Sequence, residues 1–132
     1  MRRLAEVASW HAHVYFQPEA EREAAIELRE AIAERFAVRL GTVWDRPVGP
    51  HSRAMYQIAF EPRLFGSLVP WLALNGRGLS ILIHPNTTNP KRDHLIDALW
   101  LGAALPLEGE MLPEEAEAEL AGPANTQPVA EP

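Results

Sequence analysis

Two histidines lie two residues apart in a short apolar segment, residues 9–16, with the sequence SWHAHVYF. Because side chains alternate between the two faces of a β-strand, His11, His13 and Tyr15 would share one face. The side chains of the opposite face, which we expect to enter the core, are Trp10, Ala12, Val14 and Phe16. The two imidazoles would stand about 6.5–7 Å apart along the strand. They could bind one transition metal, or they could be hydrogen-bonded sheet histidines that bind no ligand.

A second histidine-bearing segment, residues 84–94 (HPNTTNPKRDH), follows another apolar strand. His84 ends that strand, and ligands collect at strand ends and in the loops that follow them. His94 is predicted to open a helix capped by Asp93, where the helix dipole keeps the imidazole neutral and able to bind a metal or accept a proton. The alternative for His94 is an ordinary residue of the first helical turn.

The remaining histidine and several arginines could contact a substrate. His51 ends a Pro- and Gly-rich loop, PVGPH, and is either an exposed loop residue or an acid/base group of the site. Arg46, Arg53 and Arg92 could bind a substrate carboxylate through a bidentate pair, or could be surface residues.

The length, cysteine content and charge of the chain restrict its fold, its possible metal ligands and its partners. The 132 residues suffice for one domain with a real core, and with no cysteine any metal must be bound by His, carboxylate or water. The net charge of −6 comes mainly from seven Glu within residues 108–132, which leave 11 acidic and 12 basic residues in 1–107. No basic stripe indicates nucleic-acid binding. No apolar run is long enough to span a membrane and no signal peptide is recognisable, so we expect a cytoplasmic protein without membrane contact.

The predicted elements that position these residues follow the order β-α-β-β-α-β-α. The predicted spans are strands at 9–16, 38–44, 54–60 and 79–84, and helices at 18–36, 62–75 (interrupted at Pro70) and 95–104. This order matches the ferredoxin-like split βαβ, an α+β fold with strand order 4-1-3-2 and both helices on one face of the sheet. The strand ending in His84 would then run beside the first strand, predicted parallel to it. We expect residues 1–107 to form this domain, and residues 108–132 to be an acidic, partly disordered tail with one possible helix at 113–121.

The predicted topology leaves the face that carries His11, His13 and Tyr15 without a helix over it. An open apolar face needs a cover. We therefore expect a second copy of the chain to pack on it, giving a dimeric α+β barrel.

The motifs HAHVYF, PVGPH, VPWL, LSILIHPNTTNPKRDH and ALWLG, taken together and in this order, resemble the DOPA 4,5-dioxygenase family. The resemblance covers residues 9–107. It implies a ferredoxin-like fold, a non-haem iron site, and extradiol cleavage of a catechol ring with O₂. The residues at the positions that it indicates are His11, His13, His84 and His94, with His51 in the PVGPH loop.

These arguments predict an Fe(II)-dependent extradiol dioxygenase that acts on DOPA or a related catechol, as a homodimer; another divalent metal such as zinc could replace iron in a purified sample. His11, His13 and His84 are predicted to bind the metal, although His94 could replace one of them. His51 and His94 are predicted to be catalytic. The predicted substrate contacts are Tyr15, Arg53 and Arg92. Two other functions stay open: a non-catalytic dimeric module that binds a metal or a small aromatic molecule, and a cofactor-free dimeric-barrel oxygenase.

Overall fold

The computed structural model describes all residues, 1–132, and contains one five-stranded antiparallel sheet with three α-helices. The strands are β1 (Ser9–Phe16), β2 (Arg39–Leu40), β3 (Ala54–Phe60), β4 (Ile81–Asn86) and β5 (Leu99–Leu101). The α-helices are α1 (Arg22–Ala33), α2 (Phe65–Asn75) and α3 (Pro90–Leu95). Single 3₁₀ turns lie at Leu4–Glu6, Pro62–Leu64 and Gly109–Met111.

The strands follow the order β2-β3-β1-β4-β5, so the first four lie in the predicted order. The predicted parallel pairing of the first and fourth strands is wrong, because β4 pairs with β1 antiparallel. The reason is topological: the α2 crossover leaves β4 parallel to β3, and β3 is itself antiparallel to β1. His11 and His84 are direct partners in the β1–β4 register.

One face of the sheet forms the main core with α1 and α2. Ala12, Val14 and Phe16 of β1 are fully buried in it, as their alternation predicts. The core residues that β3 and β4 add are Ala54, Tyr56, Ile58, Phe60, Ile81 and Ile83, and the helices add Ala25, Leu28, Ile32, Leu68 and Leu72. Each large aliphatic side chain buried in this way stabilises the fold by about 1.5–3 kcal/mol. The core thus holds the central strand, and with it the two histidines of the opposite face, in a fixed position.

The opposite face of the sheet is covered by the chain itself. Tyr15, Met55 and Leu82 form a second, smaller buried cluster there. The partly buried residues that pack on this cluster are Val48, Ala98, Trp100, Leu105 and Leu107. The expectation of an open face is therefore wrong, because the loop before β3 and the chain after α3 fold over it. A second copy is not needed to shield the histidines, and the homodimer stays a prediction.

The chain after β4 differs most from the predicted structure. A helix at 95–104 is predicted, but α3 ends at Leu95 and β5 follows as an edge strand beside β4. The N-cap of α3 is Asn89, whose side chain accepts from the Arg92 backbone N–H, and not Asp93. The apolar run after α3 contributes side chains to both faces of the sheet. Trp100 packs on the Tyr15 cluster, and Leu101 packs on the main core. A short apolar run of this kind does not distinguish strand from helix by periodicity.

Other boundaries shift by a few residues. The regular part of the second strand is only Arg39–Leu40, with an isolated bridge from Trp44 to Met55 beyond it. The α2 helix continues through Pro70 without interruption. The carbonyl that Pro70 cannot bond belongs to Gly66, and both residues are exposed, so water can satisfy it. No helix of the structure is both long enough and apolar enough to cross a membrane.

Residues 113–129, here called the C-terminal strap, lie against the body of the protein in extended form, and the possible helix at 113–121 does not form. Along the edge of the sheet, Asn125 hydrogen-bonds to the backbone of Val38 and Leu40, and the Thr126 hydroxyl lies between Phe36 and Val38. Ala121 is buried. These contacts cover the free edge of β2, which would otherwise present unpaired backbone groups. The division of the chain into a domain at 1–107 and a partly disordered tail stays a prediction.

Candidate metal centre

Three buried histidines converge on the covered face of the sheet. His11 and His13 project from β1 and His84 from β4, and each offers a ring nitrogen within 4.8 Å of the other two. His13 Nε2 lies 3.1 Å from His84 Nε2. The three side chains belong to the two central strands of the sheet, so the core on the opposite face fixes their positions.

Backbone carbonyls determine the tautomers of two of the five rings. His84 Nδ1 lies 2.9 Å from the Pro85 carbonyl oxygen, and His94 Nδ1 lies 2.7 Å from the Pro90 carbonyl oxygen. Because a carbonyl can only accept, both Nδ1 atoms carry the proton and both Nε2 atoms carry a lone pair. His84 Nε2 is thereby prepared as a metal ligand, and His94 Nε2 as a ligand or a proton acceptor.

The environment keeps the three converging histidines neutral. Burial, followed by the neighbouring imidazoles, lowers the pKa of His11 to about 4. The same causes place the pKa of His13 and His84 well below the ordinary value. His13 Nδ1 is buried without any hydrogen-bond partner. Three neutral imidazoles whose ring nitrogens converge, one of them with a buried nitrogen that lacks a partner, fit a divalent transition metal.

His94 and His51 complete a cluster that contains every histidine of the sequence. The His94 ring centroid lies 3.8 Å from that of His84, and the His51 centroid lies 4.1 Å from that of His13. His94 lies in the last turn of α3, so the predicted N-terminal position is wrong. The pKa of His94 is nevertheless lowered, and burial is the cause in place of the helix dipole.

His51 is fixed by contacts on both sides of its loop. Its Nδ1 is hydrogen-bonded to the Tyr15 hydroxyl at 2.6 Å, and its backbone forms a β-bridge with Leu107. Burial lowers the pKa of His51 to about 4 and raises that of the Tyr15 phenol. His51 is therefore a buried neutral imidazole next to the three converging histidines, and not the exposed loop residue that the sequence left open.

The two arginines predicted to bind substrate differ in whether their guanidinium groups already have a partner. The Arg92 guanidinium is paired with Asp97, at 2.9 Å between Nε and Oδ2. Arg53 is half-buried and makes no hydrogen bond or ion pair. Asp93 is buried and accepts from the backbone N–H and the hydroxyl of Thr87. Both oxygens of its carboxylate accept hydrogen bonds that stabilise the turn between β4 and α3, so neither is free to bind a ligand.

One carboxylate next to the site is absent from the sequence prediction. Glu119 of the C-terminal strap places Oε2 3.7 Å from His11 Nε2. Seven glutamates in a Glu/Ala/Pro-rich segment look alike in sequence, and only the path of the strap distinguishes this one. No signal in the sequence could have identified it.

The chain is similar to known proteins over most of its length. A family model described as the Dopa 4,5-dioxygenase family matches residues 10–111. A DOPA 4,5-dioxygenase of Amanita muscaria is 38% identical over 117 residues, which are 83% of this chain and 51% of that protein. An uncharacterised 21.2 kDa protein of Botryotinia fuckeliana is 40% identical over 111 residues, 76% of this chain and 61% of that protein. The chain thus spans between half and two thirds of the length of these relatives.

A solved structure is similar over a larger share of its length. A protein of Nostoc punctiforme PCC 73102, described there as a candidate dioxygenase, superposes with a TM-score of 0.82 and is 49% identical. The match covers 83% of this chain and 95% of that one. The family match, residues 10–111, includes β4 and nearly all of β1, the strands that carry His11, His13 and His84.

Proposed function

The chain belongs to the Dopa 4,5-dioxygenase family, and from this premise we propose that it is a non-haem iron dioxygenase that opens the ring of DOPA or a related catechol by extradiol cleavage with O₂. Family membership supports a dioxygenase with a small-molecule substrate and O₂. The metal, the catechol and the position of cleavage are parts of the proposal.

The observation that carries the proposal is the convergence of His11, His13 and His84. In a chain without cysteine, three neutral imidazoles are a donor set suited to Fe(II). An Fe(II) ion at this position would supply open coordination sites for both catechol oxygens and for O₂. Zinc would fit the same donors, so a purified sample could contain it in place of iron.

The other two histidines would handle the protons of the catechol. His94 is the better defined of the two, because its Nδ1 proton is held by the Pro90 carbonyl and its Nε2 is free to accept. His51 is coupled to Tyr15, so a proton received by this pair can be shared across a short hydrogen bond. Both imidazoles are neutral near pH 7, the state that a general base requires.

Aromatic and apolar side chains lie next to the histidines, as expected for an enzyme that binds an aromatic substrate. Tyr15 stacks on Trp100 with ring centroids 5.7 Å apart, beside Met55 and Leu82. These residues form an apolar wall on one side of the histidines. If the substrate carries a carboxylate, as DOPA does, Arg53 is the available partner, whereas Arg92 would first have to leave Asp97. The order of the first four strands supports the ferredoxin-like assignment of the fold.

The test is oxygen consumption with a series of catechols, together with metal analysis. We expect the Fe(II)-loaded protein to consume O₂ with DOPA or a related catechol and to form a yellow ring-opened product. His11→Ala, His13→Ala and His84→Ala should each lose bound metal and ring cleavage together. Bound metal without oxygen consumption would favour the non-catalytic binding module, and activity in a protein free of metal would favour the cofactor-free oxygenase.

A further inference from the structure

The C-terminal strap passes the open end of the histidine cluster. Its backbone is attached near α3 through Lys91 N–H to the Pro113 carbonyl and through Ala116 N–H to the Thr88 carbonyl. Farther along, it is attached to β2 through Asn125. Between these attachments the strap must cross the ends of β4 and β1, which are the strands that carry the metal-binding histidines.

Glu119 lies at the centre of this crossing. Its backbone carbonyl accepts a hydrogen bond from the Ser9 hydroxyl at 2.5 Å, and that hydroxyl also accepts from the Asn86 side-chain amide. Ser9 and Asn86 are register partners at the ends of β1 and β4 and are both buried. The strap is thus attached at Glu119 through its backbone, which leaves the side chain free to reach the histidines.

The Glu119 carboxylate approaches His11 without bonding to it. The distance of 3.7 Å between Oε2 and Nε2 exceeds that of a hydrogen bond, and the His11 ring makes no hydrogen bond elsewhere. Both atoms can supply a lone pair. In the tautomer that leaves the lone pair of His11 on Nε2, these two atoms lie close enough together to be ligands of one cation.

Charge favours the same conclusion. Three neutral imidazoles leave the full double charge of a divalent metal uncompensated among buried side chains, which is costly. Asp93, the other carboxylate near the cluster, is already bonded twice by Thr87. Glu119 is 71% exposed and has no hydrogen-bonding partner for its side chain. It is therefore the carboxylate that is free to turn inward.

We propose that the Glu119 carboxylate is a fourth, anionic ligand of the metal bound by His11, His13 and His84. The inference rests on the metal site of the proposed function and adds to it a ligand from outside the family match, which ends at residue 111. The strap then has a role in the site: it supplies negative charge to a metal that the central strands bind only through neutral groups.

The experiment measures binding of Zn²⁺ and Co²⁺ to the full-length, metal-free protein, by competition with a chromophoric chelator and by the visible absorption spectrum of the Co²⁺ form. Glu119→Gln keeps the size of the side chain and the backbone bond to Ser9. We expect it to weaken Zn²⁺ binding at least about tenfold, comparable to the loss of a metal-site partner, and to change the intensity and position of the Co²⁺ bands. Glu117→Gln is the matched control, since Glu117 is exposed on the same strap and its side chain forms no hydrogen bond or ion pair. It should bind both metals as the unaltered protein does.

A Glu119→Gln protein with unaltered Zn²⁺ affinity and an unaltered Co²⁺ spectrum would overturn the inference while leaving the proposed function intact, provided that His84→Ala abolishes binding. Failure of the unaltered protein to bind either metal would overturn both. Thermal unfolding of the metal-free variants shows whether the strap remains folded. If Glu119→Gln loses stability without metal, Glu119→Ala replaces it, and an unaltered Co²⁺ spectrum in that variant also counts against the inference.

Discussion

His13 and His84 lie diagonally across the β1–β4 pair, with their Nε2 atoms 3.1 Å apart, although neither is the other's partner in the register. His84 pairs with His11, and His13 pairs with Leu82. Since His84 Nε2 carries a lone pair, His13 must donate its Nε2 proton to form this contact in the metal-free protein. If these residues held a metal, His13 would have to give up its Nε2 proton, because each ligand nitrogen must offer a lone pair.

The metal-free protein should lose stability as the pH falls from about 6.5 to about 4. In this range the unfolded histidines bind protons, whereas folded His11 and His51, with pKa values of about 4, do not. The unfolded state therefore binds more protons, and the free energy of unfolding rises with pH by up to about 1.4 kcal/mol per pH unit for each such histidine. Urea unfolding at several pH values measures this slope. Replacement of His51 by Phe should reduce it, and an equal slope in that variant would show that His51 is not buried as neutral imidazole.

Replacement of His94 by Ala should separate metal binding from turnover. His94 is outside the group of three that converges, so the variant should retain its metal. Loss of the Nε2 acceptor should lower kcat by about 10²–10⁴-fold, as for removal of a general base. Metal content and steady-state kinetics measure the two effects. Loss of metal from this variant would make His94 a ligand, the alternative that the sequence left open.

Removal of the Tyr15 hydroxyl should affect both stability and catalysis. Tyr15→Phe leaves buried His51 Nδ1 without its partner, at a cost of about 1–3 kcal/mol. Tyr56→Phe is a matched control, because that buried hydroxyl donates to the Ala25 carbonyl on the other face of the sheet. Chemical unfolding should show both variants destabilised, whereas only Tyr15→Phe should change the pH dependence of kcat. Identical pH profiles for the two would remove Tyr15 from the proton-handling groups.

The C-terminal strap should contribute to stability. The composition of residues 108–132 favours a dispensable tail, but Asn125 forms two side-chain hydrogen bonds with the backbone of Leu40. Asn125→Ala should reduce the free energy of unfolding by about 1 kcal/mol, and truncation after Leu107 should lower the Tm clearly. Gln127→Ala, at an exposed neighbouring amide, should have no measurable effect. An unchanged Tm after truncation would support the dispensable tail.

The alternation of apolar and polar residues was sufficient to predict two strands at the centre of the sheet. Residues 9–16 and 54–60 alternate clearly, and β1 and β3 occupy those spans. Their alternation also separates Ala12 and Val14 from His11 and His13. The convergence of histidines could be predicted because the strand order follows from the order of elements, and strand neighbours bring distant residues together.

The errors concern what covers the sheet. The apolar run after Leu95 is compatible with a helix or a strand, and its pairing with β4 decides between them. The path of the C-terminal strap depends on hydrogen bonds to residues more than 80 positions away, such as Asn125 to Leu40. An acidic sequence with few apolar residues contains no periodic sign of such contacts. Glu119 could not be distinguished from its neighbours for the same reason.

The gathering of all five histidines in one cluster makes this protein unusually simple to observe by NMR. In a sample isotopically labelled only at histidine, each imidazole signal arises from the site and none from the rest of the surface. Ring nitrogen shifts distinguish a protonated nitrogen from a bare or metal-bound one. One spectrum before and one after addition of a diamagnetic metal would therefore assign a tautomer to every ring, and the two rings that donate to backbone carbonyls, His84 and His94, provide an internal reference for the other three.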